Sequence, residues 1–233
     1  MGEHIAKSYD KLLEGLITNI SEMGGLAEKI LSDSMASLNS LNVDFAHKVI
    51  SQDKRIDVLQ KKIEELAIST IARRQPISVD LRECIAAMRI AADLERIGDL
   101  AKNIARRTML ISSENPASIA IIGLKTMQEA ASSQLRVVID AYIEKDIEKA
   151  KEIIRCNNRM NALEDSVFRD LLTFMMEDPR NITFCTHLLF CSKNLERIGD
   201  HTKDIATTII YLVTGELFVQ EASLPTQQYL GLL

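Results

Sequence analysis

The sequence predicts an all-α protein made of two pseudo-symmetric three-helix bundles, and three observations lead to that prediction. The first is an internal repeat: LERIGD occurs at residues 94–99 and at residues 195–200, and nine of twelve positions agree between residues 94–105 and 195–206. The second is the spacing of apolar residues, which recur in steps of three and four. The third is the scarcity of helix breakers, with nine Gly and four Pro among 233 residues.

Turn and breaker residues divide the chain into six long segments. They occur near residues 39–42, 74–76, 112–116, 144–145 and 178–181. Each segment is long enough for a helix of about eight turns. Because the connections are short, consecutive helices are expected to run antiparallel, as an up-down-up bundle in each half. The predicted organisation is a first bundle over residues 1–112, a second over residues 116–215, and a C-terminal tail over residues 216–233.

The apolar seams have the three-four spacing of helices that pack in bundles. In the second segment the seam consists of Phe45, Val49, Gln52, Ile56, Leu59, Ile63 and Leu66. In the fifth it consists of Ile153, Cys156, Met160, Leu163 and Val167, at a constant offset of 104 from the second segment. The third segment has Ile90, Leu94, Ile97, Ala101 and Ile104. The sixth has Leu188, Cys191, Leu195, Ile198, Thr202, Ile205, Ile209 and Leu212.

Composition indicates a soluble protein of the cytoplasm. A net charge of −5 and a pI near 5.5 argue against broad binding to a nucleic-acid backbone, which requires a surplus of Lys and Arg. The first residues lack the regions of a signal peptide, and no run approaches the roughly 18 apolar residues that span a bilayer. The cysteines have no CxxC spacing, so we expect reduced thiols and no zinc site at Cys84, Cys156, Cys185 and Cys191.

Acidic residues occupy helix faces away from the seams. Asp53 and Asp57 are four apart in the second segment, and Glu95 and Asp99 are four apart in the third. These four residues, the first carboxylate group, converge if the two helices pack side by side. Acidic residues at this spacing repel one another by about 0.2–0.5 kcal/mol per pair, and a bound cation would relieve that repulsion. Oxygen ligands of this kind suit Mg, Ca, Mn or iron better than zinc.

The equivalent face of the second half carries less charge. Glu196, Asp200 and Asp204, the second carboxylate group, all come from the sixth segment. Two amides, Asn157 and Asn161, stand where the first half has aspartates on the second segment. An Asn oxygen brings no net charge to offset the dehydration of a cation. We therefore expect the first group to bind a divalent cation more tightly than the second.

A solvated polar face is the alternative interpretation of both carboxylate groups, because acidic pairs on exposed helix faces are common. Four basic residues lie close enough along the repeated segments to balance the negative charge. They are Arg96, Lys102, Arg197 and Lys203. On this interpretation no metal is needed.

Two glycines, Gly98 and Gly199, lie inside the repeated helices. Gly costs roughly 1 kcal/mol relative to Ala in a helix interior, so its occurrence at the same position of both repeats suggests that the structure requires Gly there. We interpret these glycines as points of close approach to another backbone or to the other bundle. A tolerated surface Gly is the alternative.

The sequence contains no recognisable catalytic motif. The four histidines form neither HExxH nor a Glu-x-x-His pair, which argues against a ferritin-like di-iron oxidase. GxxxxGKS/T, GxGxxG and GxSxG are absent as well, so we do not predict an enzyme. Two arginine pairs end predicted helices, where cations interact favourably with the helix dipole; they are Arg73, Arg74, Arg106 and Arg107. Phosphate or partner binding by these pairs is a secondary interpretation.

The doubled LERIGD, each copy followed by Lys and Ile-Ala in a six-helix pattern, resembles the PhoU family, the accessory regulators of bacterial phosphate-specific transport. ARRQPISVDLR at residues 72–82 and YLVTGE at residues 211–216 also resemble segments of that family. The resemblance covers nearly the whole chain. It implies two three-helix bundles related by pseudo-symmetry and no catalytic activity. It also implies a homodimer, because members of the family are often dimeric.

The resemblance also implies partners and a cofactor. Such proteins restrain the phosphate-starvation response by contacting the ATPase of the phosphate ABC transporter and the membrane sensor histidine kinase. Some carry multinuclear iron or zinc clusters on E/D-x-x-x-D motifs, which match DKRID at residues 53–57 and ERIGD at residues 95–99 and 196–200. The leading expectation is thus a regulator that binds no nucleic acid and does not insert into a membrane. The alternative is a carboxylate-bound metalloprotein for storage or redox chemistry.

Overall fold

The structure, a computed structural model, describes residues 2–112, 122–216 and 218. Within these ranges the chain forms six long α-helices and no strand, which confirms the predicted all-α fold. The helices are α1 (Gly2–Ser40), α2 (Val43–Arg74), α3 (Val79–Ile111), α4 (Ile122–Glu144), α5 (Ile147–Glu177) and α6 (Ile182–Thr214). A short 3-10 helix, Pro179–Asn181, precedes α6. The predicted boundary at residues 113–116 and nearly all of the predicted tail lie outside the described residues, and the domain limits stay a prediction.

The first turn of each repeat is built in the same way. Leu41 before α2 and Lys145 before α5 both have a positive φ, of 48° and 55°. The residue that follows each of them caps the next helix: Asn42 Oδ1 accepts a hydrogen bond from the third amide along at 2.8 Å, and Asp146 Oδ1 accepts two, at 2.9 and 3.1 Å. Such caps satisfy amides that have no partner within a helix, so both helices start at defined positions.

The second turn differs between the repeats. In the first, α2 ends at Gln75, which has a positive φ of 47° and donates its backbone N–H to the carbonyl of Ile71. In the second, Asp178 ends α5 in an extended conformation and its carboxylate caps the 3-10 helix that leads into α6. The five breaks read from the sequence all coincide with helix ends.

The helices α3 and α6 lie at the centre of the molecule. Each packs against the other two helices of its own repeat and against the other central helix. Arg82 Nε donates to the carbonyl oxygen of Leu212 at 3.3 Å, and Arg107 Nη1 lies 3.2 Å from His187 Nδ1 toward the opposite ends, so α3 and α6 run antiparallel. The repeats also meet where α1 packs on α4.

The predicted seams supply the core. Every predicted seam residue of α3 and α6 is buried, as are the central residues of the α2 seam, Val49, Ile56, Leu59 and Ile63. The buried side chains of all six helices form one continuous cluster. The two repeats are thus joined by a shared hydrophobic core, and the faces of α3 and α6 that leave this core carry the polar residues singled out above.

The described helices include none that is both long enough and apolar enough to cross a bilayer. The four cysteines are unpaired, and Cys84, Cys185 and Cys191 are buried in helices.

Candidate functional site

The packing of α2 against α3 brings Asp53 close to Asp99, but among the described residues no three ligand atoms of the first carboxylate group lie within 4.8 Å of one another. One cation lies between these two carboxylates: Lys102 Nζ, from the next turn of α3, donates to Asp53 Oδ2 and to Asp99 Oδ1. Asp53 is only 7% exposed, so this carboxylate is buried although it lies off the apolar seam. Of the four basic residues named above, Lys102 makes ion pairs with Asp53 and Asp99, and Arg96 lies near Glu95.

The electrostatics of this group agree with that geometry. Burial by itself lowers the pKa of Lys102, but the hydrogen bonds and charges of Asp53 and Asp99 outweigh it, so the pKa is raised overall and the ammonium is retained at neutral pH. Burial raises the pKa of Glu95, and the charge of Asp99 raises it further; Arg96 opposes the shift, with its Nε 3.7 Å from Glu95 Oε2. Lys102 donates to Asp53 and Asp99, so the repulsion between Glu95 and Asp99 remains and contributes to the raised pKa of Glu95.

The second carboxylate group is arranged differently. Asn157, at the position equivalent to Asp53, is 6% exposed and donates its amide Nδ2 to Asp200 Oδ1 at 3.0 Å. Its own Oδ1 is buried without a hydrogen-bond partner in the structure. Glu196 pairs with Lys193 at 2.9 Å, and Asn161 is exposed. In this half a neutral amide, and not an ammonium, contacts the central aspartate.

The repeated glycines allow these contacts. A Cβ on Gly98 would lie 2.5 Å from Ile56 Cδ1, and one on Gly199 would lie 3.1 Å from Asn157 Oδ1. Close approach is therefore confirmed, but the expectation of another backbone or the other bundle was wrong. The neighbours are side chains of the same repeat, from α2 at Gly98 and from α5 and α4 at Gly199.

Asp204, of the second carboxylate group, also faces the other repeat. It lies one turn after His201 on α6, and both residues face Asp93 of α3 across the antiparallel helix contact, with His201 Nδ1 3.0 Å from Asp93 Oδ1. One ligand atom from each of these three residues lies within 4.8 Å of the other two. Burial raises the pKa of Asp204, and the charge of Asp93 raises it further, with His201 acting in the opposite direction. We call Asp93, His201 and Asp204 the inter-repeat trio.

The residues present do not fit a multinuclear iron or zinc cluster as they are arranged. In the first group an ammonium holds the place between Asp53 and Asp99 that a metal ion would need. In the second, Asp200 accepts from an amide. Among the described residues, the trio of Asp93, His201 and Asp204 is the one set of three Asp, Glu, His or Cys whose ligand atoms converge, and it suits a single divalent cation. The expected difference in cation affinity between the two carboxylate groups stays a prediction. In the first group a metal ion would compete with the Lys102 ammonium for Asp53 and Asp99.

Two members of the trio, Asp93 and His201, were not among the predicted site residues. Asp93 precedes LERIGD and His201 follows it, so both flank the repeated motif. They have no helical spacing to each other, because they come from different repeats. Only the pseudo-symmetry could have pointed to them, since antiparallel central helices bring the start of one motif to the end of the other.

Comparisons with known proteins agree with the class that the fold and the repeated motifs define, an all-α protein of two three-helix repeats. The model of the PhoU domain matches residues 20–108 and 124–209, one match in each half. The chain belongs to the PhoU family.

Two curated relatives carry similar names. A protein of Rhizobium meliloti (strain 1021), named phosphate-specific transport system accessory protein PhoU homolog, is 49% identical over 212 residues, which cover 91% of this chain and 90% of the relative. The phosphate-specific transport system accessory protein PhoU of Escherichia coli (strain K12) is 33% identical over 218 residues, which cover 94% of this chain and 90% of the relative.

Two solved structures share the fold. PhoU from Pseudomonas aeruginosa aligns with a TM-score of 0.85 and 31% identity, over 89% of this chain and all of that chain (100%). The phosphate transport system regulatory protein PhoU from Streptococcus pneumoniae aligns with a TM-score of 0.84 and 26% identity, over 91% of this chain and 100% of the other. These likenesses extend the family assignment to the arrangement of all six helices.

Proposed function

We propose that this chain is a non-enzymatic cytoplasmic regulator of phosphate uptake, which restrains the phosphate-starvation response by coupling the phosphate ABC transporter to its sensor histidine kinase. The observation that carries the proposal is membership of the PhoU family along nearly the whole chain. The names of the relatives place them with the phosphate-specific transport system as accessory proteins. An accessory role supports action through protein contacts, without turnover. We propose that the chain forms a homodimer as well.

An exposed apolar stripe on α5 offers a surface for such contacts. Phe168, Leu172 and Met176 are spaced by four residues and are 46%, 44% and 78% exposed. At this spacing they form one continuous face of the helix, the geometry by which helices dock into apolar grooves. The equivalent positions of α2, at an offset of 104, are Glu64, Ile68 and Ala72, so the stripe belongs to the second half. We propose that it contacts the transporter ATPase or the kinase.

Deletion of the gene tests the regulatory role directly. In the organism that encodes the chain, loss of the protein should derepress phosphate-starvation genes in medium rich in phosphate. The measurement is transcript abundance, with the wild-type gene restored on a plasmid as the control. Unchanged expression in high phosphate would count against the proposed restraint.

Substitution on the stripe tests the proposed contact surface. Phe168→Asp with Leu172→Asp should abolish co-purification with the ATPase and the kinase, because two charges would have to be buried at the interface. Val58→Asp is the matched control: Val58 is 65% exposed on α2 and has no apolar neighbour four residues away. Circular dichroism should show that both variants stay helical. Retained binding by the double variant, or equal loss in the control, would remove the stripe from the interface.

Iron or zinc binding is a second proposal, favoured by the convergence of Asp93, His201 and Asp204. The storage or redox alternative has no such support, since the relatives are named as transport accessories. Titration with Zn(II) and Fe(II) under anaerobic conditions should show one ion per chain, lost in His201→Ala and kept in Asp57→Asn with Asp99→Asn. The opposite pattern would assign the ion to the first carboxylate group, and no binding by the parent protein would leave all these carboxylates as ordinary polar residues.

A further inference from the structure

A cavity opens on the α3–α6 contact at the C-terminal end of α3. Its volume is about 380 Å³, within the range of small-molecule sites in proteins. Two guanidinium groups, two carboxamides and two apolar side chains line it: Arg106, Arg107, Asn103, Asn194, Leu110 and Phe190. The lining includes one of the two arginine pairs that were predicted to end helices, but α3 continues to Ile111 and this pair lies before its last turn. Among the described residues the lining contains no acidic side chain.

The positive charge in this cavity is not neutralised by an ion pair with any described residue. Within the described residues, no carboxylate lies within ion-pair distance of Arg106 or Arg107. Arg106 Nη1 donates instead to Asn103 Oδ1 at 3.0 Å. Because the carbonyl oxygen of Asn103 is occupied in this way, its NH₂ group is left as a donor. The polar part of the cavity is therefore rich in donors and carries two positive charges.

Arg107 is held in position before any ligand arrives. Its guanidinium carbon lies 4.2 Å from the centroid of the Phe190 ring, so the two planar groups stack. Its Nη1 lies at hydrogen-bond distance, 3.2 Å, from His187 Nδ1. A guanidinium has five N–H donors, and one bond to His187 leaves several for a ligand. A fixed, planar donor group of this kind matches the oxygens of a phosphate or a carboxylate.

The opposite end of the same helix contact shows why this end favours anions. With the offset of 101 between the repeats, Asn194 is the counterpart of Asp93, and Asn103 is the counterpart of Asp204. One end of the α3–α6 contact thus has two carboxylates and a histidine, and the other has two amides and two arginines. The replacement of Asp by Asn removes the negative charges that would repel an anion beside Arg106 and Arg107.

The apolar part of the lining favours a ligand that has an apolar body. Leu110 is 60% exposed and Phe190 is 49% exposed, so both present apolar surface beside the guanidinium groups. A free oxyanion would use only the polar side of a cavity of this volume. A ligand with an apolar body attached to the anionic group would also cover these two side chains, at a gain of about 25 cal/mol per Å² removed from water.

We propose that this cavity binds an organic phosphate, with the phosphate group on Arg106, Arg107 and Asn103 and the organic part on Leu110 and Phe190. Two guanidinium groups complement the roughly twofold charge of a phosphate monoester at neutral pH better than the single charge of a carboxylate. The site is independent of the regulatory function proposed above. Inorganic phosphate shares the same head group and is the natural competing ligand.

Calorimetry on the full chain at constant ionic strength tests the site with three probes: phenyl phosphate, inorganic phosphate and benzoate. Phenyl phosphate should bind most tightly, because inorganic phosphate lacks the apolar ring and benzoate carries a single negative charge against two guanidinium groups. Arg107→Gln should weaken it about tenfold or more, the effect of losing a charge-assisted hydrogen bond. Arg89→Gln is the matched control, since Arg89 lies on the same helix and stacks in a similar way, 5.4 Å from the centroid of Tyr211.

The outcomes separate the proposal from simpler ones. Equal weakening by Arg107→Gln and Arg89→Gln would show a general charge effect and overturn the site. Equal affinities for phenyl phosphate and inorganic phosphate would overturn the role of the apolar lining, and preference for benzoate would overturn the assignment to phosphate. Asn103→Asp with Asn194→Asp, which restores the charge pattern of the opposite end, should abolish binding, and survival of binding in that variant would also contradict the proposal.

Discussion

The two carboxylate groups share two pairs of equivalent positions, Glu95 with Glu196 and Asp99 with Asp200, but their negative charge is compensated in different ways. In the first half, Asp53 and Asp99 share the ammonium of Lys102. In the second half, Asn157 donates directly to Asp200, and the lysine equivalent to Lys102 is Lys203, which has no carboxylate within ion-pair distance among the described residues. Asn157 and Asn161, at the positions of Asp53 and Asp57, thus accompany the replacement of the ion pairs by a direct hydrogen bond between an amide and a carboxylate.

The physical lesson concerns buried charge. Removing one partner of a buried ion pair leaves the other charge buried and uncompensated, which is more costly than never having had the pair. An amide at the same position has its own donor for the neighbouring carboxylate and needs no cation. The second half is therefore less dependent on its lysine, and matched substitutions in the two halves should give unequal effects.

The largest inequality is expected for the lysines themselves. Lys102→Met should lower the free energy of unfolding by about 2–4 kcal/mol at neutral pH, because it leaves Asp53 buried without a cation. Lys203→Met should change it by less than about 0.5 kcal/mol, as for an ordinary surface substitution. Urea denaturation measures both. Similar losses in the two variants would show that the halves do not differ in this respect.

Converting the second half toward the first should also be costly. Asn157→Asp replaces a donor with a second carboxylate beside Asp200, so we expect a loss of about 1–2 kcal/mol at neutral pH. The loss should shrink as the pH falls and the carboxyl groups become protonated. Asn161→Asp, at an exposed position, is the control and should be nearly neutral. A loss that does not depend on pH would point to packing as its cause, against the electrostatic account.

The glycines should show a smaller difference. Gly98→Ala places a methyl group 2.5 Å from Ile56, a fully buried side chain, and should cost about 1–2 kcal/mol after the gain in helix propensity. Gly199→Ala meets Asn157 at 3.1 Å and Met160 at 3.2 Å, so its net cost should be smaller, below about 1 kcal/mol. Thermal unfolding of the two variants gives the order, and a reversed order would contradict the packing argument.

The smallest expected effect distinguishes the two glutamates. The pKa of Glu95 is raised, so its ionised form is disfavoured by folding. This penalty is present above the raised pKa and absent below the ordinary pKa of Glu, and Glu95→Gln should therefore stabilise the protein slightly at neutral pH but not in acid. Glu196, paired with Lys193 at 2.9 Å, should give no such gain on Glu196→Gln. Melting temperatures at neutral and acidic pH test this, and a gain from Glu196→Gln would contradict it.

The sequence by itself determined the helices and the family. Apolar spacing and breaker residues depend only on neighbours within a few turns, so the six segments and their seams could be read directly, and five of the five breaks coincide with helix ends. The doubled LERIGD likewise predicted the repeat that the PhoU domain model matches in both halves. Even Asp53, Asp57, Glu95 and Asp99 could be assigned to one face of two neighbouring helices.

Only the tertiary structure decided which of these side chains meet. Lys102 could equally have extended into solvent, and its contact with Asp53 depends on how closely α2 approaches α3. Two further features require α3 of one repeat to pack antiparallel against α6 of the other. They are the trio of Asp93, His201 and Asp204 and the cavity beside Arg107. Helical periodicity carries no information about that pairing, because it is set by the burial of both seams in one shared core, a free-energy term to which residues far apart in the chain contribute together.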